Sequence, residues 1–381
     1  MYARLIRPPK DKSFFLFGPR GTGKSLWVRT TFPHALYLDL LESELYVTLS
    51  ASPQRLSNLI PKGHKDWIIL DEVQKIPALL DEVHRLIEKE RFKFILTGSS
   101  ARKLKKQSAN LLAGRALTFY LHPLTAAELG KDFNLRRSLQ FGQLPMACTE
   151  ADPKAYLQSY TKTYLQEEIQ QEGLTRNLGA FIRFLEAASF SQGSILNISA
   201  VSRECSVTRK VVEQYFIILR DLLLAYFIPP FTKKAKRRQV QHPKFYFFDP
   251  GVYRVLRPQG PLDSAADMDG PALETLFFHE LQAARDYLKQ EGRIYYWRTV
   301  TGLEVDFIYY GPAGLFAFEI KREAKLKSES LRGLKAFLED YPSAKAYFFY
   351  GGERKLKEGA IEILPLAQAL PQLSQLLTDS I

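Results

Sequence analysis

The sequence predicts an α/β protein in three parts. A parallel-sheet domain covers residues 1–130, a helical domain 131–256, and a second α/β domain 271–381. Three observations carry this. A short apolar run, Phe14 to Phe17, meets a glycine-rich loop and then a segment that can be helical, Leu26 to Thr31. Dense apolar runs at Trp67–Leu70 and Phe92–Leu96 read as strands buried on both faces of a parallel sheet. After Pro271 a long helical stretch leads into strands separated by Thr301-Gly302 and Gly311-Pro312.

The loop is Gly18-Pro19-Arg20-Gly21-Thr22-Gly23-Lys24-Ser25, followed by Leu26. Strand, glycine-rich loop and helix in that order are the setting of a phosphate cradle. Gly18, Gly21 and Gly23 let the backbone wrap closely, with its N–H groups turned inward. The helix N-terminus adds partial positive charge. Lys24 is placed to reach the β- and γ-phosphates, and the Ser25 hydroxyl to hold Mg²⁺. A chance glycine-rich turn is the competing reading, and it would lack the flanking strand and helix.

An acidic pair follows at the expected distance. Asp71 ends the Trp67–Leu70 run, where open α/β sheets place their ligands, and Glu72 comes next. Asp71 is the candidate for Mg²⁺ and Glu72 for polarising the attacking water, against an ordinary solvated strand end. The Phe92–Leu96 strand ends in Thr97, Gly98, Ser99 and Ser100. Thr97 and Ser99 are candidates for the γ-phosphate or the lytic water, and N-capping of a helix over 101–111 is the alternative for Ser99 and Ser100. Arg115 precedes a strand over 116–121, the position of a finger acting on a neighbouring subunit's γ-phosphate, or simply a solvated arginine. Other strands are expected near 14–17 and 35–39, and a capped short helix over 123–129.

The series GPRGTGKS, WIILDE, FILTGSS and LAGR resembles AAA+-type P-loop ATPases. It is similar in particular to a bacterial and archaeal group in which such a domain is fused to a C-terminal domain of unknown function. The resemblance covers about residues 10–130 and, more loosely, the rest. It implies ATP and Mg²⁺ as cofactors, Walker A at Gly18–Ser25, Walker B at Asp71 and Glu72, a sensor at Thr97 to Ser99 and a finger at Arg115. No residue matches the sensor-2 arginine of that group.

From about Gly142 to Pro230 the character is helical. Helices are expected over 155–172, 178–190 and 198–204, with a turn at Cys205-Ser206-Val207. Val207, Val211, Tyr215, Ile218 and Leu222 then recur at helical spacing. This is a helix-turn-helix pattern, with Thr208, Arg209 and Lys210 at the end that reaches base edges in DNA-reading versions. Such folds also serve as mere packing modules. Lys233, Lys234, Lys236, Arg237 and Arg238 form a basic run where a winged helix carries its wing. It is either an anchor for nucleic-acid phosphates or a solvated loop. Residues 257–270 read as a mobile linker.

The last domain carries a second set of acids. Glu274 lies on a helix over 272–289, Asp306 on a strand over 303–310, and Glu319 and Lys321 on a strand over 315–321. Alternation along a strand puts Glu319 and Lys321 on one face. Asp306 and Glu319 on paired strands are candidate ligands of a divalent metal, with Glu274 as a further acid and Lys321 orienting or deprotonating bound water. The layout resembles the PD-(D/E)xK nuclease superfamily, with Val305 where a proline often stands. The alternative is a nuclease-derived scaffold retained for DNA or subunit contact. The expected whole is thus an α/β P-loop NTPase, a winged-helix-like middle and a PD-(D/E)xK nuclease-like end.

Composition sets the outer limits. Hydrophobic residues make up 46% and charged residues 25%, as in globular proteins. No run of about 18 apolar residues can span a membrane. The first residues hold no apolar signal core, and there are 2 cysteines, Cys148 and Cys205, which fits a reducing cytoplasm and excludes a cysteine-rich zinc framework. The net charge of +12 favours a polyanionic partner. The resulting expectation is a cytoplasmic ATPase acting on DNA by structure rather than sequence, as a homo-oligomer, in a ring if Arg115 acts in trans. The alternative is an ATP-gated switch or DNA-binding regulator of a defence or toxin-like system.

Overall fold

Phe14–Phe17 form β1, every residue buried, and the computed structural model places this strand between two others. The structure describes residues 2–100, 104, 112–164, 177–233, 236–261 and 263–378. The chain divides into two compact units, one of Arg4–Pro123 with Asp221–Leu224, the other of Met1–Ala3, Leu124–Arg220 and Ala225–Ile381.

In the first unit, β1 is followed by α1 (Lys24–Thr31), β2 (Leu36–Asp39), α2 (Ser43–Ala51), β3 (Trp67–Asp71), α3 (Leu79–Glu90), β4 (Lys93–Gly98) and β5 (Leu117–Tyr120). The sheet order is β2-β3-β4-β1-β5, and every pairing is parallel. Parallel strands need helical crossovers that cover the faces, which is why β1, β3 and most of β4 read as unbroken apolar runs. Phe15, Phe17, Ile68, Leu70, Phe94 and Leu96 pack with Val83 and Leu86 of α3 in one core. Burial of each such side chain is worth roughly 1.5–3 kcal/mol. The order has a direct consequence: β4 lies between β1 and β3, so Thr97 falls between the glycine loop and Asp71. The helix expected over 101–111 lies largely outside the described residues.

The second unit begins with short helices, among them α4 (Leu135–Phe141) and α5 (Pro153–Ser159), then α6 (Leu178–Ser189), α7 (Ile198–Glu204) and α8 (Arg209–Asp221, whose last residue falls in the first unit). Asn177 and Asn197 cap α6 and α7 through their side chains. α8 buries Val212, Tyr215, Phe216, Ile218 and Leu219. A two-stranded antiparallel ribbon follows, β6 (Ala225–Ile228) with β7 (Lys244–Phe247).

After α9 (Pro250–Leu256), α10 runs from Ala265 to Tyr287. The expected linker over 257–270 is therefore shorter, because Ser264 and Asp267 form a reciprocal capping box that starts the helix before Pro271. Then come β8 (Arg293–Arg298), β9 (Glu304–Gly311), β10 (Gly314–Ile320), α11 (Arg332–Asp340), β11 (Lys345–Tyr350), β12 (Leu356–Glu358) and β13 (Ile361–Pro365). They form a mixed six-stranded sheet in the order β12-β13-β11-β10-β9-β8. β8, β9 and β10 are antiparallel neighbours, and β11 joins β10 in parallel after the α11 crossover. The β6–β7 connection also runs along this sheet: Phe231 N–H donates to Tyr296 O at 2.7 Å. Residues 131–220, 225–256 and 271–381 consequently belong to one unit. Among the described residues no helix is long and apolar enough to cross a membrane.

Candidate functional site

The glycine loop leaves the C-terminal end of β1 and enters α1. Gly21 and Gly23 have φ of 82° and 88°, the left-handed region that glycine enters without a Cβ penalty. A Cβ on Gly18 would sit 2.2 Å from Leu121 O, so the loop can pass the end of β5 only with glycine there. Thr22 is buried and closes the loop on itself, donating from Oγ1 to Pro19 O at 2.9 Å. The Lys24 ammonium lies inside the loop, 2.8 Å from Gly18 O and 3.2 Å from Pro19 O. Ser25 is half-buried in the first turn of α1, while Arg20 is half-buried and Leu26 exposed. The loop is thus a preformed concavity with a cation in it, which fits a phosphate.

Three parallel strand ends meet beside it. Phe17 pairs with Gly98, and Leu70 with Leu96. Asp71 is buried and accepts hydrogen bonds on both oxygens, from the Thr97 hydroxyl and the Tyr37 hydroxyl. Burial and then the bond to Asp71 push the Tyr37 pKa up, so the phenol stays protonated and remains a donor. Glu72 takes φ 59° and ψ 44°, a left-handed conformation that costs a residue with a Cβ of order 1–3 kcal/mol. Its N–H donates to Thr97 Oγ1 at 3.3 Å, and Gln74 Nε2 donates to its carboxylate. Gln74 also donates to Ser99 Oγ at 3.1 Å. Gly98 leaves room for this glutamine, since a Cβ there would meet Gln74 Oε1 at 2.5 Å and push the side chain aside.

The structure therefore brings Lys24, Asp71, Glu72, Thr97 and Ser99 to one edge of the sheet. It adds residues that sequence reasoning missed. Tyr37 and Gln74 orient the two acids. Arg4 braces the loop, donating to Thr22 O at 2.8 Å and His122 O at 2.6 Å. Arg115 is elsewhere. It precedes β5, at the opposite edge of the parallel sheet from the glycine loop, and pairs with Glu88 of α3. A strand of four residues spans about 13 Å, so Arg115 is remote from its own chain's loop.

In the second unit the acids expected together do come together, in a particular way. The register Phe318 opposite Phe307 carries Glu319 and Asp306 one step further along β10 and β9. Asp306 Oδ2 accepts from Ile320 N–H at 2.9 Å. Lys321 stands by both carboxylates, 2.6 Å from Glu319 Oε1 and 3.6 Å from Asp306 Oδ2. Burial works against its charge, but Asp306 and Glu319 outweigh burial and push its pKa up. So held, the lysine is a charged donor beside both carboxylates. Burial, reinforced by Asp306, raises the Glu319 pKa, and Glu319 Oε2 is a buried oxygen with no hydrogen-bond partner.

Glu274 is claimed by other groups. The Tyr246 hydroxyl donates to Glu274 Oε2 at 2.7 Å, and Lys244 Nζ lies 3.7 Å from it and 2.5 Å from Glu304 Oε1. Lys244 is buried; burial opposes its charge, yet Glu274 and Glu304 keep it charged. Among the described residues no three histidine, cysteine or acidic side chains are grouped to hold a metal ion.

The helix-turn-helix residues Thr208, Arg209 and Lys210 are exposed at the start of α8, with Arg209 paired to Glu213 at 3.0 Å. The basic run lies in the β6–β7 connection but is folded onto the sheet side. Arg237 reaches Asp340 at 3.0 Å and Glu339 at 2.7 Å, and Lys236 donates to Glu339 O at 3.2 Å. Lys233 covers the Tyr310 ring at 4.4 Å, Arg238 is exposed, and Lys234 lies outside the described residues.

A parallel sheet whose inner strand β1 opens into a glycine loop, with an acid at the end of the nearby β3, is consistent with a P-loop type of nucleotide-binding domain. Comparison with known families agrees. The model of an AAA domain matches residues 10–130, and two domains of unknown function, 8612 and 4143, match residues 132–263 and 269–369. The AAA domain supports nucleotide binding. Uncharacterized proteins of Mycobacterium tuberculosis and Mycobacterium bovis are each 26% identical over 350 residues, covering 89% of this chain and 76% of their own. An uncharacterized protein of Methanocaldococcus jannaschii is 24% identical over 270 residues, 64% of this chain and 58% of its own. The crystal structure of protein VC1899 from Vibrio cholerae aligns over 96% of this chain and 97% of its own, at 12% identity and a TM-score of 0.25, too loose a likeness to define a shared fold.

Proposed function

We propose that this protein hydrolyses ATP and couples the turnover to work on DNA. The observation that carries the first half is the meeting of Lys24, Asp71, Glu72 and Thr97 at three adjacent strand ends. Gly18, Gly21 and Gly23 shape the backbone for the phosphates, and Lys24 moves its ammonium from the loop carbonyls to the β- and γ-oxygens. Ser25 and Asp71 are the residues that would hold Mg²⁺, which neutralises charge on the phosphates when bound. Glu72, positioned by Gln74, orients the attacking water. Thr97 and Ser99 line the γ-phosphate side. Arg115, remote from its own loop, serves a neighbouring subunit, so the working form is an oligomer, with a ring as the simplest closed arrangement.

The second half rests on α7, α8 and the β6–β7 ribbon, which have the order of a winged helix. Thr208, Arg209, Lys210, Lys233 and Arg238 are exposed on them. The Asp306–Glu319–Lys321 centre supports a nuclease-like reading of the last domain. Its unpaired Glu319 oxygen, beside Asp306, is where a cation would add most. One observation favours a second reading, in which the scaffold no longer cuts: Lys321 already sits against both carboxylates. In that case ATP sets a switch or a DNA-binding regulator of a defence or toxin-like system.

The test is incubation with labelled single strands, duplexes, forks and four-way junctions with Mg²⁺ or Mn²⁺, with and without ATP. An Asp306→Ala/Glu319→Ala variant runs beside the wild type. Cleavage lost in the variant supports a nuclease. Salt-sensitive binding without cleavage supports the second reading. No interaction with any DNA overturns the DNA role.

A further inference from the structure

The second unit contains a groove that the nucleotide site and the carboxylate centre leave unused. It has a volume of about 630 Å³ and is lined by Arg136, Leu139 and Gln140 of α4, Arg254 of α9, Asp269 of α10, and Arg322 just beyond β10. That is the size range of small-ligand sites. Two guanidinium groups pair with one carboxylate, and a third, Arg136, lines the same groove. Arg254 is largely buried, donates from Nε to Leu139 O at 2.6 Å and pairs with Asp269. Arg322 pairs with the other oxygen of Asp269. Arg136 is exposed and has no ion-pair partner among the described residues. A single carboxylate shared by two arginines, with a third beside it, leaves the groove with about two positive charges uncompensated.

We propose that this groove binds a phosphoryl group. Its donors are planar guanidinium forks, which match tetrahedral phosphate oxygens two at a time. They are held from three separate elements, so they converge without needing to move together. Leu135 and Leu139 add an apolar wall, suited to the sugar or base attached to that phosphate. The ligand is a nucleoside phosphate or the phosphodiester of a nucleic-acid strand, which share this chemistry. Two chain connections tie the groove to the carboxylate centre. Arg322 directly follows Lys321, and Asp269 precedes Glu274 by five residues on α10, about 7.5 Å along a helix axis. The phosphate site itself does not depend on whether that centre cuts.

The test uses the full chain in a Lys24→Ala background, which silences the glycine loop, and titrates inorganic phosphate, AMP and a short single-stranded oligonucleotide by calorimetry. Lys24→Ala alone should still bind phosphate. Adding Arg136→Ala and Arg322→Ala should weaken binding at least tenfold, with the melting temperature checked to be unchanged. Asp269→Asn, which removes the competing carboxylate, should tighten binding several-fold, whereas a merely structural ion-pair cluster would lose stability and gain no affinity. AMP binding more tightly than the oligonucleotide assigns a free nucleotide; the reverse order assigns a strand. The proposal is overturned if Lys24→Ala abolishes all phosphate binding, if the double arginine variant binds as tightly, or if Asp269→Asn binds more weakly.

Discussion

At the scale of single residues, local motifs were readable and their partners were not. Gly18, Lys24, Asp71 and Thr97 stand out because strand, loop and helix signals lie next to them in the chain. Tyr37 and Arg4 act on Asp71 and Thr22 across 34 and 18 residues of sequence, and a lone tyrosine or arginine carries no local mark. Arg237 was legible as part of a basic run, but its capture by Glu339 and Asp340 depends on α11 packing beside the β6–β7 connection. Buried acids give a residue-scale prediction. Glu280 on α10 accepts from Ala126 N–H at 2.7 Å, and burial raises its pKa from 4.5 to about 8. Between those values the folded chain holds a proton that the unfolded chain releases, so this stability is present at low pH and is lost as pH rises. Glu280→Gln, which keeps the acceptor and removes the charge, should be more stable than wild type at pH 8 and show a flatter fall between pH 4.5 and 8 in denaturant titrations. A wild-type slope in the variant would contradict the assignment.

At the scale of elements, β1, β3 and β4 were legible because burial on both faces writes itself as unbroken apolar runs. The start of α10 was not: Pro258, Gly260 and Pro261 look like a linker, and Pro271 looks like a helix start, while the capping box at Ser264 begins the helix earlier. β12 was missed because a three-residue edge strand has too few positions to show alternation. The start of α9 is a point of dependence on one side chain. Asp249 is buried and accepts from the N–H groups of Gln143 at 2.8 Å, Gly251 at 2.8 Å and Val252 at 3.1 Å. Asp249→Ala strands these donors and should destabilise the second unit by roughly 2 kcal/mol or more. Thermal unfolding would check it, and an unchanged midpoint would mean that the donors find other partners.

At the scale of the whole molecule, the parallel pairing of β1 with β5 decides what Arg115 can do. Arg115 stands before the start of β5, while the glycine loop leaves the far end of the neighbouring β1, so any action on a γ-phosphate is on another copy. Lys24→Ala and Arg115→Ala should each be inactive alone, the latter slowed by about 10³-fold or more while still binding ATP. Mixed together they should regain hydrolysis, because a site built from the Lys24 of one variant and the Arg115 of the other is complete. No recovery on mixing would remove Arg115 from the site. The second constellation was readable as spacing, Asp306 then Glu319-x-Lys321, but the three-arginine groove was not, since it draws on α4, α9, α10 and the end of β10.

The measurement that tests the central claim most directly is the rate of phosphate release from ATP and Mg²⁺ by wild type and Lys24→Ala. The arrangement of Lys24, Asp71 and Glu72 predicts steady turnover in the wild type and a loss of at least about a hundredfold in the variant. Equal rates in the two proteins, or no turnover in either under any condition that supports nucleotide binding, would contradict it.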